Sequence, residues 1–159
     1  MTPATLTAEQ LLPRRLAEVF PFFAEARNLE RITPPWLRFE VLTPGPIDMR
    51  AGALIDYSLR WHGVPLRWRT EIEIWEPPHR FVDRQLRGPY LLWRHEHRFV
   101  EQGGQTLAVD RVDYAAPGGR PVHRLIVDRD VQRIFAHRRQ ALESIFGSGE
   151  AGDPTLEKI

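Results

Sequence analysis

The sequence predicts an α+β domain, in which a curved antiparallel sheet of about six to seven strands wraps around one long C-terminal helix, with two short helices after the first strand. Three observations carry this reading. From Leu37 to Pro117 the chain alternates apolar and polar residues with the period of a strand. The turns "HGV" and "EQGGQ" interrupt the alternation where tight hairpins need positive φ. Outside this region, one stretch near each end changes to a period of about 3.6 residues. A chain of 159 residues suits a single core. One domain is therefore expected over residues 1–147, with the small polar residues 148–159 as a flexible C-terminal tail.

The elements follow in order. Thr5–Leu12 alternates and reads as the first strand. In "PRRLAEVFPFFAEARNLERI", Leu16, Val19, Phe20, Phe23 and Ala24 recur at helical spacing, and Pro13 suits a first turn. Pro21 lacks a backbone donor and clashes with the preceding turn, which predicts a break there and two short helices. "TPPW" ends the helical stretch, and Leu37–Gly45 reads as the next strand. Further strands are expected over Ala53–Trp61, Pro65–Pro78, Arg80–Leu86, Gly88–Phe99 and Thr106–Pro117.

Parity assigns faces, because alternate residues of a strand share a side. Ile55, Tyr57, Leu59 and Trp61 point one way; Leu66, Trp68, Thr70, Ile72 and Ile74 form a second apolar row, opposite Arg67, Arg69, Glu71 and Glu73. In "GPYLLWRHEHRF", Trp93, His95, His97 and Phe99 oppose Arg94, Glu96 and Arg98. The last segment, Pro121–Phe146, carries Leu125, Val131, Ile134, Phe135, Leu142, Ile145 and Phe146 near the helical period, and Arg138 falls on the same stripe. At 1.5 Å per residue it is roughly 37 Å long, enough to cross a sheet. One helix against a curved sheet leaves space unfilled, so a cavity is expected between them. Tyr57, Trp61, Trp68 and Trp93, with Phe99, Tyr114 and Phe135, would be its aromatic walls. His95, His97 and Asp110 would be its polar fixtures. Arg138 either reaches the rim, meets an inward acid or meets an anionic ligand group.

Composition excludes several functions. The net charge is +1, and only Lys158 among 22 basic residues is a lysine. Basic residues alternate with acidic ones in "RWRTEIEIWE", as on a paired, solvated sheet face, so no nucleic-acid partner is expected. No apolar run approaches the roughly 18–20 residues of a membrane span, so no membrane insertion is expected. The N-terminal residues lack a signal-peptide pattern, and the absence of cysteine excludes disulfides and thiolate metal sites; a cytoplasmic location is the expectation. Nothing in the sequence speaks against a homodimer.

The stretches "NLERITPPWLRFEV", "GVPLRWRTEIEIWEPPHRFVDRQLRGPYLLWRHEHRF", "DRVDYAAPGG" and "IFAHRRQALESIF" resemble the START-like, or SRPBCC, superfamily of helix-grip proteins. Within it the chain is most similar to bacterial single-domain members of the polyketide cyclase/dehydrase-like subgroup. The resemblance spans about Leu11 to Gly147. It implies the helix-grip fold and a small hydrophobic or lipid-like ligand held between sheet and C-terminal helix. It does not fix an activity, because the superfamily contains carriers, sensors, regulators and enzymes. Relatives fused to epimerase-like domains add a weaker reading, an accessory module for a metabolic enzyme such as an epimerase.

Two chemistries compete with simple binding. "HEHRFVE" is close to the first metal-binding motif of cupins, and His95 and His97 stand about 6.6 Å apart along a strand, near enough to share an ion. Against this, the spacings to Gly88 and His123 each miss the pattern by one residue, Glu101 falls at a turn, and His123 opens the helical segment. No metal and no cofactor are therefore expected. Acid–base chemistry is the stronger alternative: His95 or His97 beside Asp110 or Asp83 makes a proton shuttle for a cofactor-free cyclase or dehydratase. The same pairing also satisfies buried polar groups with no chemistry at all. Neither a nucleophile elbow nor a phosphate-binding glycine loop is present.

Overall fold

The computed structural model describes residues 2–149. Seven antiparallel strands form one sheet in the order β1-β7-β6-β5-β4-β3-β2. They are β1 (Ala4–Leu12), β2 (Glu40–Val41), β3 (Leu54–Trp61), β4 (Val64–Glu76), β5 (Arg80–Arg87), β6 (Leu92–Gln102) and β7 (Gln105–Ala115). The helices are α1 (Leu16–Ala24), α2 (Leu29–Ile32), α3 (Gly119–Val122) and α4 (Asp128–Phe146). A π-helical turn, His123–Val127, joins α3 to α4 into one helical run across the inner face of the sheet. This is the helix-grip arrangement expected. The part of the tail beyond Gly149 lies outside the described residues.

Sequential hairpins build the sheet from β3 to β7, and β1 closes it beside β7, with Ala8 opposite Asp110. The β3–β4 hairpin turns at His62 (φ 47°) and Gly63 (φ 81°), the paired positive φ of a tight two-residue turn. At one end of the sheet, Val19, Phe20 and Phe23 of α1 meet Phe81, Phe99 and the last turns of α4 in a solid core. Toward the other end, Val112 and Tyr114 pack under Val127, Val131 and Phe135.

Four local expectations are corrected. Pro21 does not break α1: it sits inside the helix on the exposed side, as does Ala17, so the carbonyl that loses its partner faces water. The two short helices instead part after Ala24, at a 3₁₀ turn over Ala26–Asn28. The strand expected over Leu37–Gly45 shrinks to two residues, because the Pro34–Pro35 start nucleates a 3₁₀ turn that ends with Arg38 in the left-handed region (φ 44°). Ile74 leaves the inner row: the register against β5 shifts between Ile72 and Ile74, so Ile74 stands opposite Val82 on the outer face, and Trp75 turns inward onto Phe20 and Phe81. Leu125 lies in the π turn, out of register with the stripe of α4, and is 59% exposed.

Candidate functional site

A cavity of about 520 Å³ lies between the sheet and the C-terminal helical run. It exists because the aromatic core of α1 fills only one end of the space. Of the residues predicted to surround it, Tyr57, Trp61, Trp68 and Trp93 line its walls, with Phe135 on α4; His95, His97 and Arg138 form a polar floor. Three others do not line it. Phe99 is packed against Phe20 and Phe23 in the solid core. Tyr114 stacks on His123 and donates its hydroxyl proton to Asp128. Asp110 lies behind the two histidines and lines a second, smaller cavity of about 220 Å³ between β1 and α4. Parity along the strands did not reveal Phe39, Met49 and Tyr90, which complete the walls from loops and irregular segments.

The floor is assembled by cross-strand register. His95 pairs with Asp83 on β5, and His97 with Asp110 on β7, so both histidines and both carboxylates point to the same side. Nε2 of His95 is 2.8 Å from Asp110 Oδ1, and Nε2 of His97 is 2.8 Å from Asp83 Oδ2. Nδ1 of His97 lies 3.2 Å from Asp110 Oδ1. Arg138, buried on the apolar stripe of α4, donates to the same Asp110 oxygen at 3.2 Å. Of its three anticipated roles, the guanidinium therefore takes the second, meeting an inward acid. Phe81 stacks on His97 with ring centroids 4.1 Å apart, and Phe135 meets His95 edge-on at 5.5 Å.

The charges follow from this geometry. Burial pushes the Asp110 carboxyl up, but the Arg138 charge and the hydrogen bonds from both histidines outweigh it and hold the group well below the usual carboxylate range. Asp83 is likewise lowered, burial being overcome by the His97 hydrogen bond and the surrounding cations. Burial also works against a charged His97, yet hydrogen bonds to Asp110 and Asp83 on its two ring nitrogens raise it. His95 goes the other way: burial, then the like charge of His97, lowers it to about 4. At neutral pH both carboxylates are thus ionised and His95 is neutral. Arg138 also approaches His97 Nδ1 at 3.4 Å, beside the Asp110 oxygen that both groups meet.

Neutral His95 has one donor and one acceptor nitrogen. With Asp110 ionised, Nε2 carries the proton and Nδ1 the lone pair. Nδ1 lies 4.0 Å from Asp83 Oδ2, beyond hydrogen-bond reach, and it is not among the buried unpartnered atoms. It therefore opens to the large cavity that His95 lines. Asp83, His95 and His97 also present ligand atoms all within 4.8 Å of one another, close enough to share an ion. The other groups of the metal motif are elsewhere: Glu101 is exposed at the β6–β7 hairpin, and His123 pairs with Asp128 at 3.0 Å. At the far side, Trp61 Nε1 and His62 Nε2 both reach Asp130 Oδ2, at 2.7 and 2.8 Å, and tie the β3–β4 hairpin to α4.

The model of the family described as polyketide cyclase / dehydrase and lipid transport matches residues 12–143. Solved structures share the fold. A protein from Mycobacterium smegmatis is 20% identical, covers 89% of both chains and superposes with a TM-score of 0.68. The Zhui aromatase/cyclase of a Streptomyces is 15% identical, with 90% of this chain and 93% of that chain covered and a TM-score of 0.71. A nucleoside-diphosphate sugar epimerase from Corynebacterium glutamicum is 24% identical over 87% of this chain but only 28% of its own, with a TM-score of 0.65. No curated protein is similar enough in sequence to match. Among the described residues no helix is long and apolar enough to cross a membrane.

Proposed function

We propose that this chain, which belongs to the polyketide cyclase / dehydrase and lipid transport family, binds a small hydrophobic molecule in the cavity between its sheet and its C-terminal helix. The observation that carries the reading is a space of about 520 Å³, walled by aromatic and aliphatic side chains and floored at one spot by the polar His95, His97 and Arg138. Apolar walls supply affinity by burying ligand surface, and the few polar groups orient the ligand. Native mass spectrometry and tryptophan-fluorescence titration with a panel of hydrophobic compounds test it. Saturable binding to the wild type, lost in Leu59→Trp where a bulkier wall fills the space, is the expected result. Silence across the panel in both measurements ends the reading.

A second reading is a cofactor-free cyclase or dehydratase, and the open lone pair of His95 favours it. A neutral imidazole whose far nitrogen donates to an ionised aspartate is the arrangement of a general base. His95 Nδ1 takes the proton from the bound substrate, Asp110 stabilises the imidazolium formed, and the apolar walls exclude water. His95→Gln keeps a donor for Asp110 but has no ring base. Turnover lost with the melting temperature preserved supports catalysis; unchanged turnover removes His95 from the chemistry.

A further inference from the structure

Asp83, His95 and His97 meet at one spot of the large cavity, and all three line it. They come from two neighbouring strands: the histidines share a face of β6, and Asp83 on β5 stands opposite His95 in the register. Their candidate ligand atoms all lie within 4.8 Å of one another. The ring atoms turned towards Asp83 Oδ2 are His95 Nδ1, at 4.0 Å, and His97 Nε2, at 2.8 Å. Bonds of about 2.0–2.2 Å to an ion place neighbouring ligand atoms about 3.0–3.5 Å apart. The two distances fall on either side of that range, and a shift of the Asp83 carboxylate by less than about 1 Å evens them.

The other two ring nitrogens are held from behind. His95 Nε2 lies 2.8 Å, and His97 Nδ1 3.2 Å, from the same oxygen of Asp110. Asp110 itself stands back from the large cavity and is met by Arg138 at 3.2 Å. A histidine that binds an ion through one nitrogen typically donates its other N–H to a carboxylate or carbonyl, which fixes the tautomer and the ring plane. Here one carboxylate does so for both rings, and Phe81 and Phe135 pack against them. Hydrogen bonding alone does not account for His95 Nδ1, which has no partner within reach.

We propose that Asp83 Oδ2, His95 Nδ1 and His97 Nε2 bind a divalent first-row transition metal ion of the Zn²⁺ kind, with Asp110 as the outer carboxylate and the remaining coordination positions open to the large cavity. Imidazole nitrogens select such an ion over calcium or magnesium, which take oxygen ligands. Any proton on His97 Nε2 leaves to solvent on binding, since a ligating nitrogen carries none. With both histidines neutral, two carboxylates, one guanidinium and a dication sum to a single positive charge, which an anionic oxygen of a cavity ligand would neutralise. The motif in "HEHRFVE" pointed to Glu101 and His123 as further ligands; the fold supplies Asp83 instead, from across the β5–β6 register. The site goes beyond the binding of a hydrophobic molecule, and it claims the lone pair that the general-base reading uses, so those two exclude each other at His95.

The test takes wild-type protein stripped of metal by a chelator. It is titrated with Zn²⁺ alone, in competition with a chromophoric chelator, and with Co²⁺, whose visible bands report coordination. One equivalent should bind. NMR of protein labelled at histidine nitrogens should place the zinc-induced changes at His95 Nδ1 and His97 Nε2, not at His62 or His123. Asp83→Ala and His95→Gln should each weaken binding at least about tenfold, as should Asp110→Asn through the charge lost behind the rings; His123→Gln should bind as the wild type does. Azide, a small anionic donor, should move the cobalt bands by taking an open position. No uptake by the wild type, or uptake that leaves both ring nitrogens unchanged, overturns the proposal without any variant having to fold. Undiminished binding in Asp83→Ala overturns it too, and cobalt bands indifferent to azide overturn the open positions. Because the probe is the ion alone, its failure leaves the titration with hydrophobic compounds untouched, and failure of that titration leaves the ion site standing.

Discussion

The two faces of β6 carry the same kinds of side chain and use them in opposite ways. On the outer face, Arg94 reaches Glu73 at 2.8 Å, one of a lattice of cross-strand pairs that includes Arg84 with Glu71 and Arg69 with Asp56. These pairs are part-exposed, each partner can be rehydrated, and each can be lost singly. On the inner face, His95 and His97 share two carboxylates and Arg138 in a space from which most water is excluded. There no group can lose its partner without leaving a charge in a medium that solvates it poorly. The difference teaches that ion pairs one residue apart along a strand have consequences set by burial, not by distance, since both networks contain contacts of 2.8 Å.

The largest expected effect breaks the inner network at its centre. Asp110→Ala leaves the Arg138 guanidinium and His97 facing each other without their shared anion, and should cost about 3–5 kcal/mol of stability by urea unfolding. Replacing the centre and its cation together, as Asp110→Leu with Arg138→Met, should recover most of that loss, because no buried charge is then left unpaired. A double variant as unstable as the single one would show that the cluster stabilises by more than charge balance.

How legible this contrast was in the sequence depends on what sets each feature. Parity in "RHEHR" separated the two faces of β6, because a regular strand in the middle of a sheet obeys its period. The inward acids Asp83 and Asp110 were legible for the same reason. Parity failed for Ile74, where one extra residue shifts the register, and such a bulge has no local signature in "EIEIWE". Phe99 was expected in the cavity wall but belongs to the solid core, since which inward aromatics are covered depends on where α1 docks, far away in sequence.

A middle-sized effect comes from His95 and has a definite sign in pH. Its folded value, about 4, lies below that of an unfolded histidine near 6.5, so between these limits the unfolded chain takes up a proton that the folded chain does not. Stability contributed by neutral His95 is thus complete above about pH 6.5 and declines as the pH falls toward about 4, by at most about 3 kcal/mol. His97, whose value is raised, works in the opposite sense: its contribution is present below the unfolded value and is lost as the pH rises through the folded one. Urea midpoints across this range should show the acid-side decline in the wild type and a shallower one in His95→Gln. Equal slopes in the two proteins would mean that His95 is not held neutral.

The smallest effect sharpens the comparison from the outer face. Arg94→Ala removes a pair with the same 2.8 Å contact as His97 and Asp83, but its side chains are 31% and 34% exposed. Water replaces the lost partner, and the side-chain entropy released on freeing Glu73 offsets part of the lost attraction. The expected change is below about 1 kcal/mol and should shrink further in salt, which screens exposed charges. The inner network, shielded from the same ions, should show little salt dependence in Asp110→Ala. If instead Arg94→Ala cost as much as the inner variant, the outer lattice would be a cooperative structure rather than a set of independent pairs. Burial would then not be what distinguishes the two faces of this strand.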